Sequence, residues 1–339
     1  MKVVVLLGGT SAERDVSIAT GSQVIKALRS RGHDVSAVDP AVGLLDPEEE
    51  RQMLETGVAA EPPRESTLAR MSHAPLLRLT TSGGLNGFDV IFMGLHGGSG
   101  EDGRLQAVLE LADLPFTGSN HVSSALAMDK DLSKKVFREA GIPTADWAMA
   151  PCDLDEVARD FGFPLVAKAN KQGSTVGLTI VKERAALEGA IAAAYEHDDE
   201  VLLERFIPGR EITVGILGGK ALAVGEIIPQ LSDIFDYQSK YQNGGALEIF
   251  PADLPTETSV RIQELGLRVH QALKLRGYSR VDFRLTAEGD AYCLEANTLP
   301  GLTAASLLPK SADAVGIPFP ELCERICLLA IERHEGGSR

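Results

Sequence analysis

Four polar side chains near the C-terminal end of the chain are suited to phosphate and metal chemistry: Arg280, Asp282, Glu295 and Asn297. The first three lie on two short strand-like runs, 280–285 and 291–295, that flank the turn-like segment 286–290, a pattern that predicts a β-hairpin. Side chains alternate along a strand, so Arg280 and Asp282 share one face, and Asn297 continues the side of Glu295 if that strand runs on. If the two polar faces coincide, their oxygens suit Mg²⁺, which takes one or two carboxylates and leaves other positions to water and phosphate. A solvated hairpin face with ordinary charges is the alternative.

Two glycine-rich loops elsewhere in the chain could bind ligands. The loop 170–177 lies between two predicted strands with Lys168 at its entrance. It lacks the GK[ST] of a P-loop, but its backbone N–H groups could cover phosphates with the lysine as counter-charge. The second loop, 96–103, follows the apolar strand 88–95, and ligands bind at the carboxyl ends of strands in parallel sheets. An ordinary hairpin turn, and a packing role for His96, remain the alternatives.

The elements that must position these groups begin with an N-terminal α/β layer. An apolar run, 3–7, a helix ended by Gly32 and a second strand, 35–38, form a βαβ unit, which predicts a parallel sheet. The glycines after the first strand do not complete GxGxxG, so a dinucleotide site is only weakly indicated. Residues 45–87 include a short acidic helix pattern and several breakers, and we assign no function to them.

The second half of the chain is richer in strands. Strands are predicted at 201–207, 210–217 and 221–229. The polar segment 232–245 has no periodicity and predicts a long loop, and such loops in compact domains often act as lids. A strongly periodic helix, 256–276, then leads into the hairpin.

Composition limits the class of protein. A chain of 339 residues, 44% hydrophobic and 24% charged, predicts two or three globular domains. The net charge of −15 argues against a large nucleic-acid footprint. No apolar run reaches ~18 residues and the start lacks a signal-peptide pattern, so we expect neither a membrane span nor secretion. The four cysteines form no CxxC pair, which favours a cytosolic protein.

Taken together, the motifs point to one family. The chain contains, in order, GGTSAERDVS, GLHGGSGEDG, MDK, KANKQGSTVG, LLERFIPGREITVGIL, DYQSKY, RVDFRL and LEANTLPGLT. This set resembles the D-alanine–D-alanine ligase family of the ATP-grasp superfamily. The resemblance runs from Val3 to about Ile331 and leaves out only 45–87 and the extreme C-terminus. One such motif would be weak, but eight in order are highly specific.

The resemblance implies an ATP-grasp α/β fold in three parts. These are an N-terminal parallel α/β substrate-binding domain (1–121), a small central α+β lobe (122–209) and a C-terminal α+β catalytic domain (210–339), with ATP between the last two. Members phosphorylate the carboxylate of one D-alanine with ATP, and the amine of a second D-alanine attacks the acylphosphate. ADP, phosphate and the dipeptide used in bacterial peptidoglycan result. Two Mg²⁺ or Mn²⁺ ions, a homodimer and a bacterial cytoplasmic location are also implied.

The same resemblance assigns roles to the hairpin and the nucleotide site. Asp282, Glu295 and Asn297 match the family's metal ligands, and Arg280 matches the arginine that stabilises the transferred phosphoryl group and the tetrahedral intermediate. A guanidinium suits that role because it is permanently charged and forks across two oxygens. The positions that match nucleotide contacts are Lys130 and Lys168 at the phosphates, Glu204, Phe206 and Ile207 around adenine, Glu211 at the ribose and Lys240 near the γ-phosphate.

The remaining matched positions concern the two amino acids. Glu13 matches the acid that binds the first D-alanine's ammonium, and His96 a residue near that substrate. The other matches are Ser174 and Tyr241 as loop and lid contacts, Gly301 as an oxyanion-side backbone donor, and Ser306 and Leu307 in the pocket for the second D-alanine.

Two departures and several alternatives accompany the resemblance. Ala169 stands where many members have proline, and Thr175 where many have serine, so we expect changed loop dynamics rather than changed chemistry. Relatives that make D-alanyl-D-lactate carry histidine in the lid, whereas 239–241 is an intact Ser-Lys-Tyr here, which favours an attacking amine. A D-alanyl-D-lactate or D-alanyl-D-serine ligase and a non-catalytic nucleotide-binding regulator remain alternatives. An NAD-linked dehydrogenase lacks its complete glycine fingerprint.

Overall fold

The computed structural model describes residues 1–55, 63, 65–68, 70–173, 176–230 and 245–337. These residues form a mainly parallel sheet followed by two antiparallel sheets, each covered by helices. None of the helices in the described ranges is both long and apolar enough to cross a bilayer.

The first sheet has the order β3-β2-β1-β4. Its strands are β1 (Lys2–Leu6), β2 (Asp34–Asp39), β3 (Gly43–Leu44) and β4 (Val90–Met93). β1 runs parallel to β2 and β4, and helix α1 (Arg14–Ser30) makes the crossover from β1 to β2. The apolar run that predicted β1 is fully buried, as central parallel strands require. The predicted parallel α/β layer is confirmed.

The segment 45–87 contributes three helices among the described residues: α2 (Pro47–Leu54), α3 (Glu65–Leu68) and α4 (Ala74–Thr81). Asp46 and Glu49 form a capping box that starts α2, which confirms the predicted acidic helix. A 3₁₀ turn over the second glycine loop leads into α5 (Arg104–Leu111), against which α4 packs.

The second sheet has the order β5-β8-β6-β7, with antiparallel neighbours. Its strands are β5 (Trp147–Ala150), β6 (Leu165–Ala169), β7 (Thr179–Val181) and β8 (Val201–Arg205). The helices of this region are α6 (His121–Met128), α7 (Lys130–Glu139), α8 (Leu154–Phe161) and α9 (Leu187–Tyr195). β6 and β7 are joined by the first glycine loop, so Lys168 lies at the edge of that loop.

The third sheet has the order β11-β10-β9-β12-β13 and is antiparallel. Its strands are β9 (Arg210–Leu217), β10 (Lys220–Pro229), β11 (Ala246–Ile249), β12 (Tyr278–Leu285) and β13 (Ala291–Asn297). Helix α10 (Thr256–Ala272) packs over Val214, and α11 (Leu307–Asp313) packs over Gly215. Because neighbouring residues of a strand point to opposite faces, these helices cover opposite sides of the sheet.

The last helix, α12 (Phe319–Gly337), returns to the first sheet. It packs against α1, and its residues Leu322 and Ile326 join the hydrophobic core around β1. Cys323 and Cys327 are buried in the same core as free thiols, and burial raises the pKa of both. The C-terminal end of the chain thereby stabilises the N-terminal layer.

Candidate active site

The register of the hairpin brings the four polar side chains together. Asp282 pairs directly with Glu295, and Arg280 pairs with Asn297. Residues directly opposite each other in an antiparallel pair project from the same face. The two polar faces therefore coincide.

A β-bulge beside this pair determines the direction of Glu295. Phe283 pairs with Cys293, so Leu294 is an extra residue on β13. With regular alternation, Glu295 would share the face of Cys293, which is fully buried in the core beneath the sheet. The extra residue turns Glu295 to the face of Asp282 and places Ala296 in the core.

Asp282 is held by three neighbours. Its Oδ1 accepts hydrogen bonds from Thr213 Oγ1 at 2.7 Å and Arg280 Nε at 2.9 Å. Its Oδ2 accepts from Arg280 Nη2 at 2.8 Å and Asn297 Nδ2 at 3.0 Å. Asn297 uses its nitrogen for Asp282, which leaves its amide oxygen as the atom that could ligate a cation.

Two lysines face the hairpin from other elements. Lys130, at the start of α7, has its Nζ 3.5 Å from Glu295 Oε2 and donates to the carbonyl oxygen of Gln172 at 2.7 Å. Lys168, on β6, donates to Glu204 Oε2 at 2.7 Å. Both lysines are buried, and burial lowers the pKa of Lys130 although Glu295 opposes that shift.

Most of the positions matched to the nucleotide line one cavity between the second and third sheets, with about 1040 Å³ of empty space. The matched residues on its wall are Lys130, Lys168, Glu204, Phe206, Ile207, Glu211, Arg280, Asp282, Glu295 and Leu307. Apolar side chains such as Val166, Ile180 and Leu294 complete the wall. The wall of the cavity therefore combines apolar side chains, which suit a planar base, with charged side chains, which suit phosphates.

Arg284, two residues after Asp282 on β12, contacts three of the positions matched to the nucleoside. Its Nη1 lies 3.6 Å from Glu211 Oε2, and its Nε donates to the carbonyl oxygen of Ile207 at 3.1 Å. Its guanidinium also lies 5.6 Å from the centre of the Phe206 ring. Arg284 was given no role from the sequence, although strand alternation puts it on the same face as Arg280 and Asp282.

Glu204 is a buried carboxylate between two ammonium groups, those of Lys134 and Lys168. Burial alone would raise the pKa of Glu204, but the two lysines outweigh it and lower the pKa to about 2. Lys134 was missed in the sequence because it lies inside an otherwise ordinary charged helix.

His96 is buried with both ring nitrogens engaged. Its Nδ1 lies 3.1 Å from the carbonyl oxygen of Leu299, and its Nε2 lies 2.8 Å from Thr20 Oγ1. Burial lowers the pKa of His96, so the neutral ring donates from Nδ1 and accepts from the hydroxyl. His96 thereby ties the loop after β4 to the loop after β13.

Glu13 lies close to the second glycine loop. A side chain on Gly97 would place its Cβ 2.5 Å from Glu13 Oε2, so this approach requires glycine. Glu101, not singled out from the sequence, accepts a hydrogen bond from Gly97 N at 2.8 Å. Burial and the nearby Glu13 raise the pKa of Glu101 to about 8, although Arg280 opposes that shift.

The segment after the hairpin carries the last matched positions. Ser306 Oγ lies 2.8 Å from Thr303 Oγ1 and accepts from Thr303 N at 3.2 Å. A Cβ on Gly301 would lie 2.9 Å from Ser306 Oγ, so these two matched residues are in close approach. Ser174, Lys240 and Tyr241 lie outside the described residues.

A cluster of three or more His, Cys, Asp or Glu side chains suited to a metal does not occur in the described part of the chain. The hairpin offers a different donor set, two facing carboxylates and an amide oxygen. Hard oxygen donors of this kind are what Mg²⁺ uses when phosphates complete its coordination.

Comparison with known proteins agrees with this geometry. Residues 2–119 match the family model described as the D-ala D-ala ligase N-terminus, and residues 136–328 match the one described as the D-ala D-ala ligase C-terminus. A D-alanine–D-alanine ligase from Geobacter sulfurreducens is 42% identical over 332 residues, covering 97% of this chain and 94% of the relative. One from Synechococcus is 39% identical over 345 residues, covering 100% of this chain and 96% of that protein.

Solved structures give the same result. The D-alanine–D-alanine ligase from Bacillus anthracis complexed with ATP has a TM-score of 0.78 and 32% identity, with 99% of each chain covered. The ligase from Coxiella burnetii has a TM-score of 0.81 and 29% identity, covering 100% of this chain and 96% of the other.

Proposed function

The chain belongs to the D-alanine–D-alanine ligase family, and on that premise we propose how the residues of its cavity catalyse the ATP-dependent ligation of two D-alanines. The ATP-grasp fold and the ATP-dependent ligase activity expected from the sequence are confirmed by these relatives. The observation that carries the assignment of residues is the cavity itself. Its wall combines Arg280, Asp282 and Glu295 with Lys130 and Lys168.

The chemistry requires a carboxylate to become a good electrophile. Transfer of the γ-phosphoryl group of ATP to the first D-alanine gives an acylphosphate, and attack by the second amine releases phosphate. The protein contributes position and charge rather than covalent chemistry. In our proposal Lys130 and Lys168 hold phosphates, and Arg280 stabilises the charge that develops on the transferred group.

We assign the metal to Asp282, Glu295 and Asn297. Bound Mg²⁺ or Mn²⁺ would neutralise phosphate charge during transfer. The Arg280 guanidinium now makes three hydrogen bonds to Asp282, so a cation and Arg280 compete for that carboxylate.

The loops near Arg280 and the carboxylate pair carry the positions that we assign to the two D-alanines. Glu13, against Gly97, is suited to the first D-alanine's ammonium, and the neutral His96 fixes the loop beside it. The backbone of Gly301 and the side chains of Ser306 and Leu307 are assigned to the oxyanion and the second D-alanine. Ser174, Lys240 and Tyr241 keep their proposed loop and lid roles.

Several wider assignments are also proposals. The domain division 1–121, 122–209 and 210–339 is retained, with α12 packing back on the first sheet. We propose a homodimer from the family resemblance alone, and a cytoplasmic location from the four free cysteines and the need for ATP.

The decisive experiment measures phosphate release from ATP and Mg²⁺ with and without D-alanine, and identifies the product by mass spectrometry. We expect release that depends on D-alanine, with D-alanyl-D-alanine as product. Release without D-alanine would contradict the ligase assignment. A competition between D-alanine and D-lactate across pH tests the second substrate, and a depsipeptide as main product at neutral pH would reject D-alanine in that role.

A further inference from the structure

Lys134 is a fully buried ammonium that the reaction described above does not use. Its side chain is 0% exposed and lies on α7, one turn after Lys130. Its Nζ contacts Glu204 Oε1, donates to Thr144 Oγ1 at 2.6 Å and to the carbonyl oxygen of Ala145 at 3.1 Å. The Lys134 ammonium therefore makes two hydrogen bonds and one ion pair in the interior.

Glu204 divides its two oxygens between two lysines. Oε1 contacts Lys134, while Oε2 accepts from Lys168 at 2.7 Å. Lys168 lines the nucleotide cavity, whereas Lys134 lies behind it. Lys134 thus neutralises a carboxylate that would otherwise direct its whole charge at the lysine facing the phosphates.

A second connection runs from Lys134 to the hairpin. The Thr144 hydroxyl accepts from Lys134 and donates to the carbonyl oxygen of Cys293 at 2.8 Å. Cys293 N in turn donates to the carbonyl oxygen of Pro143 at 2.8 Å. Cys293 is the residue just before the bulge that turns Glu295 into the cavity.

We propose that Lys134 is a positioning residue for the nucleotide. It holds Glu204 so that Lys168 remains available to the phosphates, and through Thr144 it fixes the metal-bearing strand against the second sheet. This inference rests on the proposed ATP site. Replacing a lysine with a purely structural role would lower folding stability without raising the KM for one substrate more than for the other.

The primary test compares Lys134→Met with Lys135→Met in the full chain. Methionine keeps the length and loses the charge, and Lys135 is the adjacent control, 60% exposed and paired with Asp131. We expect the KM for ATP in Lys134→Met to rise roughly tenfold, as for loss of a group that orients a ligating side chain. The KM for D-alanine should change little. Lys135→Met should behave as the parent enzyme. An unchanged KM for ATP, or an equal rise for ATP and D-alanine, in folded Lys134→Met would overturn the inference.

The route through Glu204 is tested by a double-mutant cycle. If Lys134 acts partly through Glu204, adding Lys134→Met to the Glu204→Gln protein costs less ATP affinity than Lys134→Met costs in the parent protein. Strictly additive losses would overturn that route.

Calorimetric binding of the non-hydrolysable β,γ-imido analogue of ATP with Mg²⁺ separates this inference from the proposed function, because it requires no turnover. Weaker analogue binding in Lys134→Met than in the parent protein supports the positioning role even if no D-alanine-dependent phosphate release is seen, and equal binding overturns it. Should Lys134→Met not fold, Thr144→Val breaks the same network. We expect weaker binding of the analogue in that variant, and parent-like binding would count against the inference.

Discussion

Asp282 and Glu295 are directly paired across β12 and β13, and the bulge at Leu294 makes both carboxylates project into one cavity. Arg280 and Asn297 form the next cross-strand pair on the same face. The hairpin is therefore a platform on which a guanidinium, two carboxylates and an amide oxygen have fixed relative positions.

Replacing Arg280 by alanine should slow turnover more than any change on the cavity's apolar wall. We expect kcat to fall by about 10²–10³, or ~2.7–4 kcal/mol, as for a lost oxyanion donor. Arg280→Lys keeps the charge but cannot donate to two oxygens at once, so its kcat should lie between that of Arg280→Ala and that of the parent enzyme. Steady-state phosphate release, with thermal unfolding as a check on folding, measures this. Parent-like turnover of Arg280→Ala would remove the residue from its role.

Asp282→Asn should change the metal dependence of the reaction. Loss of a carboxylate ligand should raise the Mg²⁺ concentration at half-maximal rate by at least tenfold. Even removing a group that only hydrogen-bonds to a metal ligand lowers metal affinity by ~10–100-fold. Thr213→Val removes only the 2.7 Å hydrogen bond to Asp282 and should lower folding stability by about 1 kcal/mol. Titrating the rate with Mg²⁺ distinguishes the two. If both variants titrate as the parent does, Asp282 is not a metal ligand.

Glu211 should distinguish ATP from 2′-deoxy-ATP. We expect the parent enzyme to prefer ATP, because a carboxylate hydrogen-bonded to a ribose hydroxyl contributes ~1.5–3 kcal/mol. Glu211→Ala should lose most of that preference while its kcat with saturating ATP is largely kept. The ratio of kcat/KM for the two nucleotides is the measurement. A preference that survives in the variant would place the ribose elsewhere.

His270 should make folding stability depend on pH. Burial lowers the pKa of His270 to about 4, and its Nδ1 lies 2.8 Å from Ser279 Oγ. The unfolded chain binds this proton below pH ~6.5 and the folded chain only near pH 4, so stability falls as pH falls through that window, by about 2 kcal/mol between pH 7.5 and 5. His270→Asn keeps a hydrogen-bonding group but does not titrate.

Urea unfolding of the parent protein and His270→Asn at several pH values measures this contribution. The variant should show a flatter stability profile between pH 7.5 and 5. Parallel profiles for the two proteins would exclude His270 as the source of the pH dependence.

Gly209, in the turn between β8 and β9, should not tolerate alanine. Its φ is +140°, and an added Cβ would lie 2.1 Å from the carbonyl oxygen of Leu285. We expect Gly209→Ala to cost at least ~1–3 kcal/mol of stability and to raise the KM for ATP, because this turn follows Phe206 and Ile207. Gly189→Ala, in α9, where an added Cβ would meet nothing within 4 Å, should instead stabilise the fold by about 0.5–1 kcal/mol. Thermal unfolding compares the pair, and equal melting temperatures would refute the strain argument.

The sequence alone determined the local features and the family. Apolar runs of the right length predicted the buried strands, the turn-like segment 286–290 predicted the hairpin, and alternation placed Arg280 and Asp282 on one face. Glycine loops beside lysines indicated where phosphates could bind. These signals can be found in the sequence because each depends only on neighbouring residues. The order of the motifs along the chain then pointed to the family.

Tertiary structure decided the features that depend on pairing between distant segments. The bulge at Leu294 exists only in the register between β12 and β13, and without it regular alternation would put Glu295 on the core face. The full burial of Lys134 depends on Glu204 and Thr144 from other elements, and the occupied ring of His96 depends on Leu299. No local pattern encodes such contacts, because each arises from residues that folding brings together from separate parts of the chain.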